Sequence, residues 1–155
     1  MSPRLRARLT LRSGRGILYP VFPPRNLVAN VPDDLRYTTD HEYVQTMPGG
    51  VVTIGITDYA QGELGDVVFV NLPKVGDKFA AHQAFGTIEA VKAVSDLYAP
   101  LAGQVTAVNA ALDQDPAAVN RSPYEDGWMI RLRPESAADV DGLLTPADYR
   151  AHIGA

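Results

Sequence analysis

Past residue 32 the apolar positions come in short bursts with the residue types of strands. Residues 51–56 (VVTIGI) and 66–72 (DVVFVNL) are rich in β-branched side chains and too short for helices. Further strands are predicted over residues 84–91, 94–98, 104–109 and 128–132. Between the first two strands, Asp58 and Gln61 have the spacing of an N-cap and its N3 partner, and Gly65 is placed to close a two-turn helix after Leu64. Near the end of the chain, Thr145 before Pro146 makes an N-cap and N1 pair, and Tyr149 with Ile153 at i, i+4 supplies an apolar stripe for a second helix. Short strands punctuated by Gly and Pro, with a few helices added, predict a mainly β fold, a sandwich or flattened barrel.

The first 32 residues follow another pattern. Residues 4–9 read Arg-Leu-Arg-Ala-Arg-Leu, a period of two where an amphipathic transit helix has 3.6. Gly14, Gly16, Pro20, Pro23 and Pro24 then break the chain, and the apolar stretch 16–22 is short and interrupted, which makes a poor secretory signal. Charge marks the same boundary. Residues 1–32 hold six Arg and no acid, a charge of +6, whereas the rest holds eight basic and eighteen acidic side chains, a charge of −10, so the whole chain carries −4. Three readings fit a leader over residues 1–30: an organellar transit peptide, a disordered basic arm, or a start codon assigned too far upstream. The domain proper is then residues 31–155.

The acidic body argues against nucleic acid as a partner, since a phosphate backbone calls for a basic face on the folded part. No apolar run approaches the length of a membrane-spanning helix. The chain has no Cys, which excludes disulfides, thiolate metal sites and any sulfur nucleophile of its own. Sulfur chemistry, if the protein performs any, must use sulfur that has been attached. No H-E-x-x-H, G-x-S-x-G, phosphate-binding loop or dinucleotide fingerprint is present, so an enzyme is a poor reading.

A faint internal repeat suggests where to look instead. Gly65, Val67, Val70 and Asn71 recur 38 residues later as Gly103, Val105, Val108 and Asn109, and residues 86–88 (GTI) have a looser echo in 127–130 (GWMI). Two similar sheet halves would place residues 85–97 (FGTIEAVKAVSDL) between them. Of the three lysines, Lys74 and Lys78 flank a Gly-Asp turn, where a solvated lysine is uninformative. Lys92 is centred between two runs that should pair as a hairpin, which projects it from the tip into water. That tip lacks the Asn-Gly or Asp-Gly of a tight turn.

Residues 86–100 (GTIEAVKAVSDLYAP) resemble the lipoyl-lysine hairpin of the glycine cleavage H-protein family. The resemblance continues upstream in RYTTDHEYV and VTIGITDYAQGELGDVVFVNLP, and downstream in SPYEDGWMIRL and the C-terminal helix, covering about residues 31–153. The leader has no counterpart in it. Two positions depart from the family pattern: Ala90 stands where Ser is frequent, and Tyr43 follows His41 and Glu42 where Trp is common. Ala90 gives the local string a likeness to biotin carriers, but those generally place Met on both sides of their lysine, and Val91 and Ala93 flank Lys92.

What the resemblance implies is a lipoyl-carrier fold, a flattened barrel–sandwich hybrid with a short helix and a C-terminal helix, with (R)-lipoate in amide linkage to Lys92. The protein would itself catalyse nothing. It would shuttle the aminomethyl group of glycine from a pyridoxal-phosphate-dependent decarboxylase to a tetrahydrofolate-dependent aminomethyltransferase, then be reoxidised by a flavin-dependent dihydrolipoyl dehydrogenase. A lipoyl or octanoyl transferase, or a lipoate ligase, would modify it, and a further lipoate-relay role is compatible with the same residues. In the family the loaded arm folds back into a surface cleft, and Glu42, Asp96 and Glu63 are the candidates to hold its cationic amine. His41 reads as a structural or surface histidine. The compartment implied is the bacterial cytoplasm, or the mitochondrial matrix if the leader is a transit peptide.

Overall fold

The computed structural model describes residues 8–12, 17–21 and 29–154. In the leader, where the sequence suggests a disordered arm, the backbone of β1 (Arg8–Arg12) and β2 (Ile17–Val21) is paired as a two-stranded antiparallel sheet. The rest of that expectation, and most of the alternating stretch 4–9, lie outside the described residues.

The body follows the apolar pattern closely. Its strands are β3 (Arg36–Tyr37), β4 (Glu42–Thr46), β5 (Val52–Ile56), β6 (Val67–Asn71), β7 (Lys78–Phe79), β8 (Ala84–Ala90), β9 (Val94–Tyr98), β10 (Gly103–Val108) and β11 (Ile130–Pro134). They form a six-stranded sheet in the order β3-β4-β5-β11-β10-β7 and a three-stranded sheet in the order β6-β8-β9. All the pairings are antiparallel. Strand β5 lies between β4 and β11 and is buried at every position, which is why it reads as a continuous apolar run. Val52, Ile54, Val105, Ile130 and Leu132 of the larger sheet share one core with Val67, Val70, Ile88 and Leu97 of the smaller. The mainly β expectation stands. The faint repeat maps onto equivalent pairings, β6 with β8 in one sheet and β10 with β11 in the other.

The helices are α1 (Asp58–Leu64), α2 (Ala118–Arg121) and α3 (Pro146–Ile153). The cap of α1 falls one residue earlier than the spacing of Asp58 and Gln61 predicts. Thr57 is the N-cap, its hydroxyl accepting from the Ala60 N–H at 3.2 Å, while Asp58 takes the first helical position and accepts from the Gln61 side chain at 2.8 Å. Gly65 closes the helix at φ 80°, a conformation that disfavours any side chain. Helix α3 is capped as expected, with the Thr145 hydroxyl accepting from the Asp148 N–H. Tyr149 is buried and Ile153 packs beside it, in a second core with Val31, Leu35, Tyr37 and Tyr43. Tyr149 stacks on Tyr37 with ring centroids 4.6 Å apart, which fixes α3 against β3.

Two strand boundaries differ from expectation because one amide side chain acts in place of the ladder. Asn109 ends β10 early by capping the next turn, accepting from the Ala111 N–H, and its side-chain nitrogen donates to the carbonyls of Asp126 and Trp128. The chain therefore joins β11 only at Ile130, two residues later than predicted.

Candidate functional site

Lys92 stands at the tip of the β8–β9 hairpin and is exposed. The ladder closes with Glu89 opposite Val94, and the Ala90 N–H donates to the Ala93 carbonyl at 2.7 Å, leaving Val91 and Lys92 as a two-residue loop. Neither residue has a positive φ, so the primed turns that select Asn-Gly are not used here. The tip is fixed from the side instead. The Val91 N–H donates to the Asp66 carbonyl at 3.0 Å, carrying the pairing of β6 with β8 one residue past its last ladder pair. At the base of the hairpin, Gly86 allows β8 to approach β6 closely, since a Cβ there would lie 2.2 Å from the Asn71 carbonyl oxygen.

Beside the middle of β9, at Ser95, Asp96 and Leu97, a cleft of about 250 Å³ opens between that strand, the start of β4 and helix α1. The three carboxylates singled out from the sequence all line it: Glu42 from β4, Glu63 from α1 and Asp96 from β9. Glu63 and Asp96 are exposed at the rim. Glu42 is only 2% exposed, and both its oxygens are engaged: Oε1 accepts from the Thr38 hydroxyl at 2.6 Å and Oε2 from the Tyr98 N–H at 3.4 Å. Burial pushes its pKa up to about 7 against the pull of those two hydrogen bonds, and Asp40 adds to the rise. A cation brought into the cleft meets a carboxyl group that can yield its proton near neutral pH.

His41 also lines the cleft, half-buried and in the left-handed region at φ 71°. Its Nδ1 lies 2.9 Å from the Tyr149 hydroxyl, which in turn lies 2.7 Å from the Thr57 hydroxyl. Burial, then the neighbouring His152, lowers its pKa, with Asp40 and Glu63 pulling the other way. The structural reading of His41 fits this geometry, because the ring joins the cleft to α3 and to the cap of α1. Tyr59 is a cleft residue that the sequence reasoning passed over. It sits one turn before Glu63 on the same face of α1, with its ring 5.0 Å from that of His41, so the i, i+4 spacing was the signal that points to it. Thr38 and the Tyr98 backbone were equally unmarked: Thr38 meets Glu42 across the turn between β3 and β4, and Tyr98 meets it from 56 residues away.

Lys92 itself lies outside the cleft, four residues before Asp96 on the β8–β9 hairpin. At about 3.3 Å per residue this spans at most about 13 Å. A lipoyl group in amide linkage to Lys92, as the resemblance implies, would have its ring eleven bonds from the Cα, which at roughly 1.25 Å each would give a reach of about 14 Å. The cleft's mixed lining of carboxylates with Ile88, Leu64 and Tyr59 suits both a thioether chain and an amine. The residues present therefore fit the group.

Residues 35–154 match the family model described as glycine cleavage H-protein. A glycine cleavage system H protein of Chlorobaculum parvum is 57% identical over 126 residues, covering 81% of this chain and 98% of that protein. A mitochondrial glycine cleavage system H protein of Oryza sativa subsp. indica is 47% identical over 140 residues, 90% of this chain and 85% of that protein. Among solved structures, the crystal structure of a glycine cleavage system H protein from Mycobacterium marinum superposes with a TM-score of 0.74 at 42% identity, covering 81% of this chain and all of that one. The chain belongs to the glycine cleavage H-protein family.

Proposed function

We propose that the protein is the lipoyl carrier of glycine cleavage, with Lys92 as the attachment site and the cleft beside β9 as the resting place of the loaded arm. The observation that carries this reading is the placement of one exposed lysine on a hairpin tip, about one arm's length from a cleft that holds a buried carboxyl group. When attached, lipoate supplies the dithiol that takes up the aminomethyl group of glycine and is later reoxidised, which a chain without Cys cannot provide. The chain's own residues hold and position. The short two-residue loop, tied laterally to Asp66, keeps the base of the arm in a fixed place while its many single bonds let the far end visit successive active sites. Tethering also raises the effective concentration of the cargo at each partner.

Within the cleft, Glu42 accepts the cationic amine, giving up its own proton as the cation enters. Asp96 and Glu63 add negative charge at the rim, and Ile88 and Leu64 exclude water from the chain of the arm. The protein performs no catalytic step. Its partners are the glycine decarboxylase, the folate-dependent aminomethyltransferase, the dihydrolipoyl dehydrogenase and the enzyme that acylates Lys92. The compartment is the bacterial cytoplasm, with residues 1–30 outside the carrier domain; the mass of the N-terminal peptide of the native protein separates this from a cleaved transit segment.

The test is intact mass after incubation with a lipoate ligase, lipoate and ATP. Wild type gains one lipoyl group and Lys92→Arg gains none. Modification of Lys92→Arg, or a biotinyl adduct on Lys92 of the native protein, overturns the reading.

A further inference from the structure

Five large hydrophobic side chains are exposed among the described residues, and four of them belong to the β6-β8-β9 sheet and the tip that carries Lys92. Val68, Phe69, Val91 and Val94 are between 48% and 71% exposed, whereas the fifth, Val75, lies away from the hairpin in the turn before β7. The register explains the grouping. Phe69 of β6 is opposite Glu89 of β8, which is opposite Val94 of β9, so the three form one row across the three-stranded sheet. A bulge between Val67 and Phe69 turns Val68 out as well, and Val91 shares the tip with Lys92.

This row is on the face of the sheet away from the core. Ile88 and Leu97 point to the core side and line the cleft, whose rim reaches the outer face at Asp96, while Val68, Phe69, Val91 and Val94 are not among its lining residues. An arm lying in the cleft leaves the outer row uncovered, so the cargo does not account for the apolar surface there. An apolar cluster of this kind on a folded domain marks a place where another protein sits.

Reach decides which protein. The Lys92 Nζ is five bonds from its Cα, about 6 Å, so an enzyme that works on Nζ itself must cover the flanks of the hairpin, while one that works on the distal ring of the arm acts about 14 Å from the Cα. We infer that Val68, Phe69, Val91 and Val94 form the docking surface for the enzyme that acylates Lys92, a partner with an apolar contact face and, because Asp66 and Asp96 flank the hairpin, a basic rim. This rests on the carrier reading. In the reaction at that surface the Nζ lone pair forms the amide C–N bond to the carbonyl carbon of an activated acyl donor, a thioester or a mixed phosphoric anhydride. The bond from that carbon to sulfur or phosphate oxygen breaks, the leaving group departs with its electron pair, and the surplus proton on nitrogen passes to a base of the partner.

The experiment measures kcat/KM for lipoylation of wild type, Phe69→Ser, Val94→Ser, their double variant and Val75→Ser by a lipoate ligase with lipoate and ATP, read by intact mass. Removing two central apolar contacts is expected to lower kcat/KM of the double variant by about tenfold or more, with Val75→Ser unchanged. Each variant, driven to full lipoylation with excess ligase, is then loaded by the glycine decarboxylase and is expected to load within about twofold of wild type. Equal lipoylation of wild type and the double variant overturns the inference, as does a decarboxylase defect as large as the lipoylation defect. Loss of self-association with unchanged lipoylation assigns the surface to a second copy of the chain and overturns it too. Failure of the carrier reading looks different, because wild type then takes up no lipoyl group. Melting temperatures equal to wild type show that the variants fold, and Val91→Ser at the tip of the same surface serves where Phe69→Ser does not.

Discussion

The tip and the cleft lie at the two ends of one strand and are built in opposite ways. At the tip, Val91 and Lys92 are held by two backbone hydrogen bonds, and their side chains meet solvent. In the cleft, Glu42 is buried with a partner for each oxygen, and His41 is linked through the Tyr149 hydroxyl to Thr57. The tip fixes a backbone and leaves a side chain free to be modified. The cleft fixes side chains and leaves a charge to be completed. Substitutions at the two ends therefore differ in kind: those at the tip alter which protein engages the chain, and those in the cleft alter stability and its dependence on pH.

The largest expected effect lies in the cleft. The folded-state pKa of Glu42 is raised from 4.5 to about 7, so between these values the native state binds more protons than the unfolded one. Stability is fully supported by the neutral form below the unfolded pKa, falls as pH rises toward 7, and is flat above it. The raised pKa corresponds to about 3 kcal/mol across that window. His41, whose pKa is lowered, acts in the opposite direction, which is why the useful quantity is the difference from a variant. Denaturant melts from pH 4.5 to 8 are expected to show wild type losing about 3 kcal/mol relative to Glu42→Gln, while Lys92→Gln at the exposed tip stays within about 0.5 kcal/mol of wild type throughout. Parallel curves for wild type and Glu42→Gln would erase the distinction between the two ends.

The next effect, about tenfold, concerns the cargo. An amine cation prefers ionised Glu42, and the ionised fraction of a group with a pKa near 7 rises about tenfold from pH 6 to pH 8. Asp40, His41, Glu63 and Asp96 line the same cleft and are common to wild type and Glu42→Gln, so the ratio of the two isolates Glu42. The protection of the aminomethyl group against spontaneous loss, expressed as wild type over Glu42→Gln, should therefore grow about tenfold between those pH values. A ratio that does not change with pH would remove Glu42 from the arm's resting place.

The two ends were not equally legible in the sequence. The hairpin was visible because β-branched runs flank a lone lysine, and β8 and β9 do pair on either side of it. The carboxylates were found through the family resemblance, and the cleft does bring Glu42, Glu63 and Asp96 together. What the sequence did not reveal was the environment that makes them differ. Burial of Glu42 depends on β4 lying beside the end of β9, with Thr38 and Tyr98 supplying donors across 4 and 56 residues of chain. Strand β4 itself went unpredicted, since residues 42–46 (EYVQT) carry a charge at a buried position and lack the alternation that marks an edge-facing strand. The outer apolar row was hidden for a similar reason. Val68 and Phe69 look like core residues in an apolar run, and only the bulge beside Val67 turns both outward.

The smallest effect sharpens the comparison by distance. In the proposed loading by the decarboxylase, the acidic body, −10 over residues 33–155, comes up to a partner surface that must be basic to be complementary. Contacts of that kind are screened over a Debye length of about 10 Å at 0.1 M salt and about 3 Å at 1 M. The proposed contact between the amine and Glu42, a side chain 2% exposed, would be shorter than either length and largely removed from solvent. Raising ionic strength from about 0.05 to 0.5 M should accordingly reduce kcat/KM for loading by about threefold or more, while the protection of an already loaded arm changes by less than about twofold. If both fall together, the loaded amine rests at an exposed site rather than against Glu42. If neither falls, the charge of the body plays no part in presenting the tip.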